Sequence, residues 1–412
     1  MHAILIWAIS LTSLALMLLR PRGISEYVWI SAGAFLLVIT RLLPLGRALG
    51  AIREGGDVYL FLAGMMILAE LAREEGVFIW VADIAVRHAR GSSARLFLWV
   101  YLAGTVVTAL LSNDATAVVM TPAVLAAVRR AQVNPRPHLL ACALIANAAS
   151  FLLPISNPAN LVVFGSHLPP LGAWLGTLLL PSLASIIATF LCLCMLSRSP
   201  LREKTAPVEE PYRLTGAGRM ALAGITLAVV TLLVSSGFGI PLGIPTCAAG
   251  VVAMVLVGVR DRSSPPLALR NVSWGVIPLV AGLFTIVEAL NRAGMVRLTR
   301  AGIHWLASAP DGVGRFAGAS AVAFLANAMN NLPVGLAAGT GLRQMGHHGL
   351  LAHAVLIGVD LGPNLSVTGS LATILWLIAL RRDDAEITAW EFLRIGAVAM
   401  PVALLSALLF LR

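Results

Sequence analysis

Charged residues are scarce in this chain of 412 residues, where Asp, Glu, Lys and Arg together make up only 12%. Soluble domains carry about 25% charged and about 45–50% apolar residues. Here 58% of the residues are hydrophobic and the mean hydropathy is +0.89. The composition therefore excludes an ordinary soluble globular protein and indicates an integral membrane protein.

Cysteine is also rare, and the positions of the four cysteines argue against a disulfide framework or a thiolate metal site. All of them lie within apolar runs, where a thiol behaves as a small hydrophobic group; they are Cys142, Cys192, Cys194 and Cys247. A paired histidine motif such as HExxH is absent, so we expect neither a resident metal nor an enzyme. The basic residues that give the net charge of +10 stand between apolar runs, as in cytoplasmic loops of membrane proteins, and do not indicate a nucleic-acid partner.

Long apolar runs are abundant, and most of them match the roughly 20 residues of a membrane-spanning helix. Twelve can be drawn along the chain, at 3–19, 24–43, 57–71, 96–128, 138–164, 170–197, 218–236, 240–258, 272–290, 316–342, 349–380 and 395–411. Four are interrupted by polar clusters, LLSNDAT at 110–116, LPISNPAN at 153–160, ANAMNNLP at 326–333 and DLGPNLSVTGS at 360–370. Irregular backbone at membrane depth is tolerated only where it is buried in protein or lines a cavity. The four breaks therefore predict one central polar site.

The chain also contains an internal repeat. Shifted by 218 residues, AGMMILAELAREEG at 63–76 lies over AGLFTIVEALNRAG at 281–294, which aligns Glu70 with Glu288 and, further on, Asn113 with Asn331. After a net shortening of six residues, Ser156 and Asn157 fall on Thr368 and Gly369. We therefore predict an all-α membrane protein built from two five-span halves, which gives ten spans, two re-entrant hairpins and two broken helices.

The predicted boundaries follow from this repeat. The first half covers 1–197 with a hairpin at 96–128, a linker covers 198–217, and the second half covers 218–412 with a hairpin at 316–342. An odd number of spans in each half makes the second half inverted in the membrane. The positive-inside rule places the arginine-rich linker in the cytoplasm and both termini outside, although Arg47 and Arg53 in the loop at 44–56 go against this orientation.

Polar side chains at the breaks are the candidate substrate contacts: Ser112, Asn113, Asn157, Asn330, Asn331, Thr368 and Ser370. Lys and Arg are absent from the interior of these segments, so the pattern favours a neutral, hydroxyl-rich solute or a cation over an anion. An Asn side chain offers two donors and an acceptor to such a solute.

Asp114 and Asp360 are the acids at the breaks, and an ionisable group at membrane depth is costly unless it has a function. We predict that they carry a coupled proton, the alternative being a helix cap. Glu70 and Glu288 lie near the ends of spans, and we interpret them as structural.

Four motifs resemble the arsenite efflux permeases, the ArsB family, within the ion transporter superfamily. They are SNDATAVVMTPAVLA at 112–126, LLPISNPANLVVFG at 152–165, MNNLPVGLAAG at 329–339 and GVDLGPNLSVTGSLATILW at 358–376. The resemblance implies export of arsenite, chiefly As(OH)3 near neutral pH, and of antimonite, driven by proton entry or by a soluble ATPase subunit. In the segment IANAAS this chain has Asn147 where many arsenite permeases have Asp, which removes a proton role at that position.

Together, these observations predict a multi-pass secondary transporter of the bacterial inner membrane that exchanges As(OH)3 for protons. It would need no cofactor beyond the proton motive force, and arsenic would be held through its hydroxyls. Three alternatives stay open: a sodium/proton antiporter, a sodium-coupled anion carrier, and an arsenite channel driven by an ATPase. A soluble ATPase partner and a homodimer also stay open.

Overall fold

The computed structural model describes residues 2–206, 211–310, 312–346, 349–382, 385 and 387–412, and the description below refers to these residues. Positions 207–210 of the predicted linker lie outside them. The described residues form helices and no strand, apart from an isolated bridge between Ser92 and Lys204. The all-α membrane fold predicted from the hydropathy is confirmed.

Ten α-helices make up the first half of the chain. They are α1 (His2–Leu19), α2 (Glu26–Ile39), α3 (Leu45–Glu54), α4 (Gly56–Glu74), α5 (Val77–Ala89), α6 (Ser93–Leu110), α7 (Thr121–Arg130), α8 (Arg136–Ala148), α9 (Pro158–Phe164) and α10 (Leu171–Leu196). A π-helical turn at Ala115–Met120 leads into α7.

The second half of the chain also contains ten α-helices among the described residues. They are α11 (Gly216–Gly237), α12 (Gly243–Gly258), α13 (Ser264–Asn271), α14 (Val276–Leu290), α15 (Val296–Ser308), α16 (Val313–Met329), α17 (Asn331–Gln344), α18 (Leu350–Leu361), α19 (Leu371–Arg382) and α20 (Ala389–Leu409).

Six stretches of the described residues are long and apolar enough to cross a membrane: α1, α6, α10, α11, the stretch Ser264–Met295 that contains α13 and α14, and α20. The pair α3 and α4, bent by 49°, adds a seventh. The other apolar helices are shorter, because the polar breaks divide several hydrophobic runs into two helices. The total of ten spans stays a prediction.

Helix boundaries recur between the two halves. At the shift of 218 residues, the bounds of α2, α3, α4, α5 and α6 fall close to those of α12, α13, α14, α15 and α16. At the shift of 212, α8 and α9 fall close to α18 and α19. Pairs of packed helices recur as well. Helix α2 packs on α14, and the corresponding α12 packs on α4. Helix α6 packs on α8, and the corresponding α16 packs on α18.

Four helices occupy stretches that lie between the apolar runs of the hydropathy pattern. They are α3 within 44–56, α5 within 72–95, α13 within 259–271 and α15 within 291–315. In α5 the apolar side chains of Phe78, Ala82, Ala85 and Ala89 lie on one buried face while Arg87 stays exposed. A one-sided apolar stripe stabilises a helix by packing even when its mean hydropathy is low.

The buried apolar side chains form two clusters. One centres on α1, α2, α4, α5, α11, α12 and α14, and the other on α8, α9, α10, α16, α18, α19 and α20. The polar breaks lie where the two clusters meet.

Candidate functional site

The tip of the first hairpin is a short turn between α6 and the π-helical segment. The Ser112 hydroxyl accepts a hydrogen bond from the backbone N–H of Ala115 at 3.2 Å, and Asn113 Oδ1 accepts one from the N–H of Asp114 at 3.0 Å. These two side chains satisfy backbone donors left without partners at a helix start. The Asp114 carboxyl makes no cap hydrogen bond, so the helix-cap interpretation does not explain it.

The tip of the second hairpin has a different composition. Asn330 has a left-handed φ of 75°, and its Oδ1 accepts from the N–H of Leu332 at 3.4 Å at the start of α17. Asn331 is the first residue of α17 and is 3% exposed. At the 218-residue shift Asp114 corresponds to Leu332, so only the first tip carries a carboxyl.

The two broken helices are joined by hydrogen bonds between residues more than 200 positions apart. Asn157 caps α9 through its Oδ1, which accepts from the N–H of Ala159, and its Nδ2 donates to Asp360 Oδ1 at 2.9 Å. Asn147 Nδ2 donates to Asn364 Oδ1 at 3.0 Å. Asp360 is fully buried, and its Oδ2 has no hydrogen-bond partner among the described residues.

Thr368 and Ser370 serve the broken backbone between α18 and α19. The Thr368 hydroxyl donates to the carbonyl of Asn327 at 2.9 Å, and Ser370 Oγ accepts from the N–H of Thr373 at 3.2 Å. Asn327 also donates through Nδ2 to the carbonyl of Gly362 at 2.9 Å. These bonds supply the partners that a regular helix would otherwise provide.

A cavity of about 70 Å³ lies beside the first hairpin tip. Its polar lining consists of Glu70 from α4, Ser112 and Asp114 from the tip, and Ser273 just before α14. Apolar side chains of α4, the π-helical turn, α9, α14 and α19 complete the wall. Of the predicted substrate and proton residues, the structure brings Ser112 and Asp114 together in this wall. The wall does not include the remaining ones, Asn113, Asn157, Asn330, Asn331, Thr368, Ser370 and Asp360.

The charged residues that line the cavity, Glu70 and Asp114, are both acidic. None of the described residues that line it is Lys or Arg, and the Asp114 carboxyl has no hydrogen bond or ion pair within the described part of the chain. Glu70 Oε2 forms an ion pair with Arg73 Nε at 2.6 Å, and Arg73 also pairs with Glu74. Glu74 in turn accepts from Asn271 Nδ2 at 2.9 Å.

Glu70 is the cavity residue that the sequence pattern does not reveal as functional. Its match with Glu288 across the repeats was a usable signal, but a glutamate near the end of a span is also typical of a structural ion pair. The structure shows both features, because Glu70 holds Arg73 and lines the cavity.

The size and lining of the cavity limit what it can hold. A water molecule needs about 10–15 Å³ of cavity volume, so the space accommodates about five waters or one solute of a few heavy atoms. Hydroxyl and carboxylate oxygens can accept hydrogen bonds from such a solute, and the two carboxyls can hold protons. Among the described residues, no group of three or more His, Cys, Asp or Glu side chains is arranged to hold a metal ion.

A bundle of apolar helices, with broken helices beside a small cavity that four polar side chains help to line, is typical of a multi-pass membrane transporter. A family model described as Citrate transporter matches residues 4–359. The chain belongs to this family of transporters.

Relatives and a solved structure agree with this class. The arsenical pump membrane protein of Escherichia coli is 28% identical over 413 residues, covering 96% of this chain and 95% of the relative. An uncharacterized transporter of Mycobacterium tuberculosis is 28% identical over 381 residues and covers 86% of each chain. Similarity to arsenical pump membrane proteins such as that of Escherichia coli confirms the resemblance to the arsenite permeases.

The crystal structure of the Alcanivorax borkumensis YdaH transporter has a similar fold. Its TM-score is 0.59 at 17% sequence identity, and the match covers 88% of this chain and 86% of that one. At this identity the likeness concerns the fold alone.

Proposed function

We propose that this protein is a secondary transporter of the bacterial inner membrane that exports arsenite, as neutral As(OH)3, from the cytoplasm in exchange for protons. Antimonite, whose trihydroxide has the same chemistry, is the second expected substrate. The near full-length similarity to arsenical pump membrane proteins supports the substrate class.

The cavity is the observation that carries the proposal. It is small, contains hydroxyl and carboxylate oxygens, and has no Lys or Arg among its described lining residues. A neutral trihydroxide can donate hydrogen bonds to Ser112 and Asp114 without a compensating cation. The free carboxyl of Asp114 provides a proton-binding group next to the solute.

The family description favours a second candidate, a carrier of citrate or a related carboxylate. Citrate carries up to three negative charges, and burying them beside Glu70 and Asp114 without cations would be strongly unfavourable. We therefore rank arsenite first and make citrate an arm of the test.

The cavity residues also support a direction of access. Glu70 and Ser273 adjoin the connections at 71–95 and 259–270, which the positive-inside rule assigns to the cytoplasm. This position supports a state open to the cytoplasmic side, with the first hairpin tip at the substrate.

In the opposite state, we propose that the second hairpin tip takes the corresponding role. Asn330 is the residue that corresponds to Ser112 at the 218-residue shift, and Asn113 and Asn331 flank the two tips. Asn157, Thr368 and Ser370 hold the broken helices in the geometry that forms the site, and Asp360 is the second proton-coupling acid. Movement of the cluster around α8, α9, α18 and α19 against the other cluster would switch access.

Everted membrane vesicles provide the test, since their outer surface is the cytoplasmic face. Acidifying the vesicle interior should drive labelled arsenite inward, and collapsing the pH gradient should abolish the accumulation. Citrate uptake, or arsenite accumulation that follows a sodium gradient instead, would refute the proposal.

A further inference from the structure

Glu70 and Asp114 are the two carboxyls in the cavity wall, but their surroundings differ. Asp114 has no partner among the described residues, whereas Glu70 is bound to Arg73. The Arg73 side chain is 42% exposed and the Glu70 side chain 16%. A path of partly exposed groups therefore leads from the cavity to the surface on the side of the arginine-rich connections.

We propose that Glu70 is the residue through which the coupled proton leaves the transporter for the cytoplasm. This inference rests on the proposed exchange of arsenite for protons. The protonated Asp114 gives its proton, through water in the cavity, to the Glu70 carboxylate, and Asp114 becomes ionised. Glu70 then gives the proton to cytoplasmic water, so one proton crosses the site and both carboxyls return to the ionised state.

Arg73 assists release of the proton from Glu70. Its guanidinium lies 2.6 Å from the Glu70 carboxylate and favours the ionised form against the cost of burial in the cavity wall, while the proton gradient sets the direction of net transfer. Glu74 shares the same arginine but is not part of the cavity wall. Of these two adjacent glutamates, Glu70 borders the cavity and Glu74 does not.

Other charged groups near Glu70 do not replace Arg73 in this role. Helix α12, which packs along α4, contains no charged residue. The nearest part of α13 offers Asn271, which binds Glu74, and the exposed Arg270. From the hairpin, only the Asp114 carboxyl faces the same space.

The internal repeat supports the proposal from the other side of the membrane. Glu288 corresponds to Glu70, and it lies within electrostatic range of Arg47, Glu54 and Arg292. In an inverted repeat these two positions lie at opposite membrane faces. In both halves, therefore, an arginine lies within electrostatic range of the corresponding glutamate.

The test compares Glu70→Gln with the matched control Glu74→Gln in everted vesicles. We expect Glu70→Gln to lower arsenite accumulation driven by the pH gradient at least tenfold, while exchange of external labelled for internal unlabelled arsenite stays within about twofold of the wild type. Exchange requires no net proton release, so it reports an intact binding site. Glu74→Gln should accumulate arsenite like the wild type.

Accumulation by Glu70→Gln equal to that by Glu74→Gln would overturn the proposal, as would loss of exchange along with accumulation. If Glu70→Gln does not reach the membrane, the pH dependence of uptake by Arg73→Gln tests the proposal instead. Without the cation, half-maximal uptake should require a higher pH of the medium, and an unchanged pH profile would refute the role of Glu70. A wild type that shows no uptake driven by a pH gradient would instead refute the proposed exchange itself.

Discussion

Asp114 and Asp360 are two carboxyls inside this membrane protein, and their surroundings differ. Asp114 faces the cavity without a partner in the described part of the chain, whereas Asp360 is fully buried and receives one hydrogen bond from Asn157. Burying an ionised carboxyl with few partners is costly, so neither arrangement is expected from stability alone. The proposed proton coupling would account for both carboxyls at the breaks.

Asp114→Asn and Asp360→Asn should each abolish arsenite uptake driven by a pH gradient, because an amide cannot carry the proton. An asparagine at 360 can still accept the hydrogen bond from Asn157 through its side-chain oxygen, so the amount of protein in the membrane should stay near normal. Uptake into everted vesicles, with immunoblots of the membranes, measures both quantities. Concentrative uptake by both variants would show that neither acid carries the proton.

The cysteines lie away from the cavity. Cys142 and Cys192 are buried, Cys194 and Cys247 are partly exposed, and none lines the cavity wall. Replacing all four by Ala or Ser should therefore leave arsenite resistance of cells largely intact. Loss of resistance by a folded, membrane-inserted variant would mean that arsenic is bound through sulfur.

At the scale of helices, close packing of α4 on α12 positions Glu70. A Cβ added at Gly64 would lie 2.4 Å from the backbone carbonyl oxygen of Thr246, and Gly250 packs against Gly64 from the other helix. Small residues allow membrane helices to approach in this way. This contact fixes α4, the helix that bears Glu70.

Gly64→Ala should destabilise the protein by about 1–3 kcal/mol, since the backbone of α12 must move to admit the methyl group. Gly176→Ala in α10 is the matched control, because a Cβ there meets no atom within 4 Å and alanine is the better helix former. Thermal unfolding in detergent should show a lower Tm for the first variant only. Equal Tm values would indicate that the two helices separate without cost.

A second feature at this scale concerns the seven-residue helix α9, which contributes Pro158 to the cavity wall. Arg343 of α17 donates hydrogen bonds from Nη1 to the carbonyls of Val162 and Val163 at the end of α9. A guanidinium at a helix C-terminus satisfies carbonyls that have no partner within the helix. The second hairpin thus fixes a helix of the first half.

For the whole molecule, the recurrence of helix bounds and of helix pairs supports two related halves that interlock. Helix α2 of one half packs on α14 of the other, and α4 packs on α12. Neither half can therefore bury its own apolar surface alone, and the site forms only when both are present.

Sidedness of the membrane provides a test at this scale. In a cysteine-free variant, Lys204→Cys should react with an impermeant maleimide only from the cytoplasmic face, and Phe238→Cys only from outside. Both positions are exposed in the structure. Labelling of intact cells and of everted vesicles distinguishes the faces, and reaction of both residues from one side would contradict the predicted topology.

Hydropathy and local motifs determined the membrane class and the helical breaks at Ser112, Asn157, Asn330 and Thr368, while the register of the repeat stays a prediction. These features depend on neighbouring residues, because a span is set by its own apolar length and a break by its own Pro, Asn and Ser residues. The hydropathy pattern did not predict the helices α3, α5, α13 and α15, because an amphipathic helix is stabilised by packing of one face and has a low mean hydropathy.

Only the tertiary structure decided which polar groups meet. It joined Asn157 to Asp360 and brought Glu70 into one cavity with Asp114, while Asn113 and Asn331 lie outside the cavity wall. Such pairings depend on how helices distant in sequence pack, and the side chains that touch across them leave no periodic signal in either segment. The sequence therefore predicted a polar site at the breaks, and the packing of helices distant in sequence determined which polar side chains line the cavity.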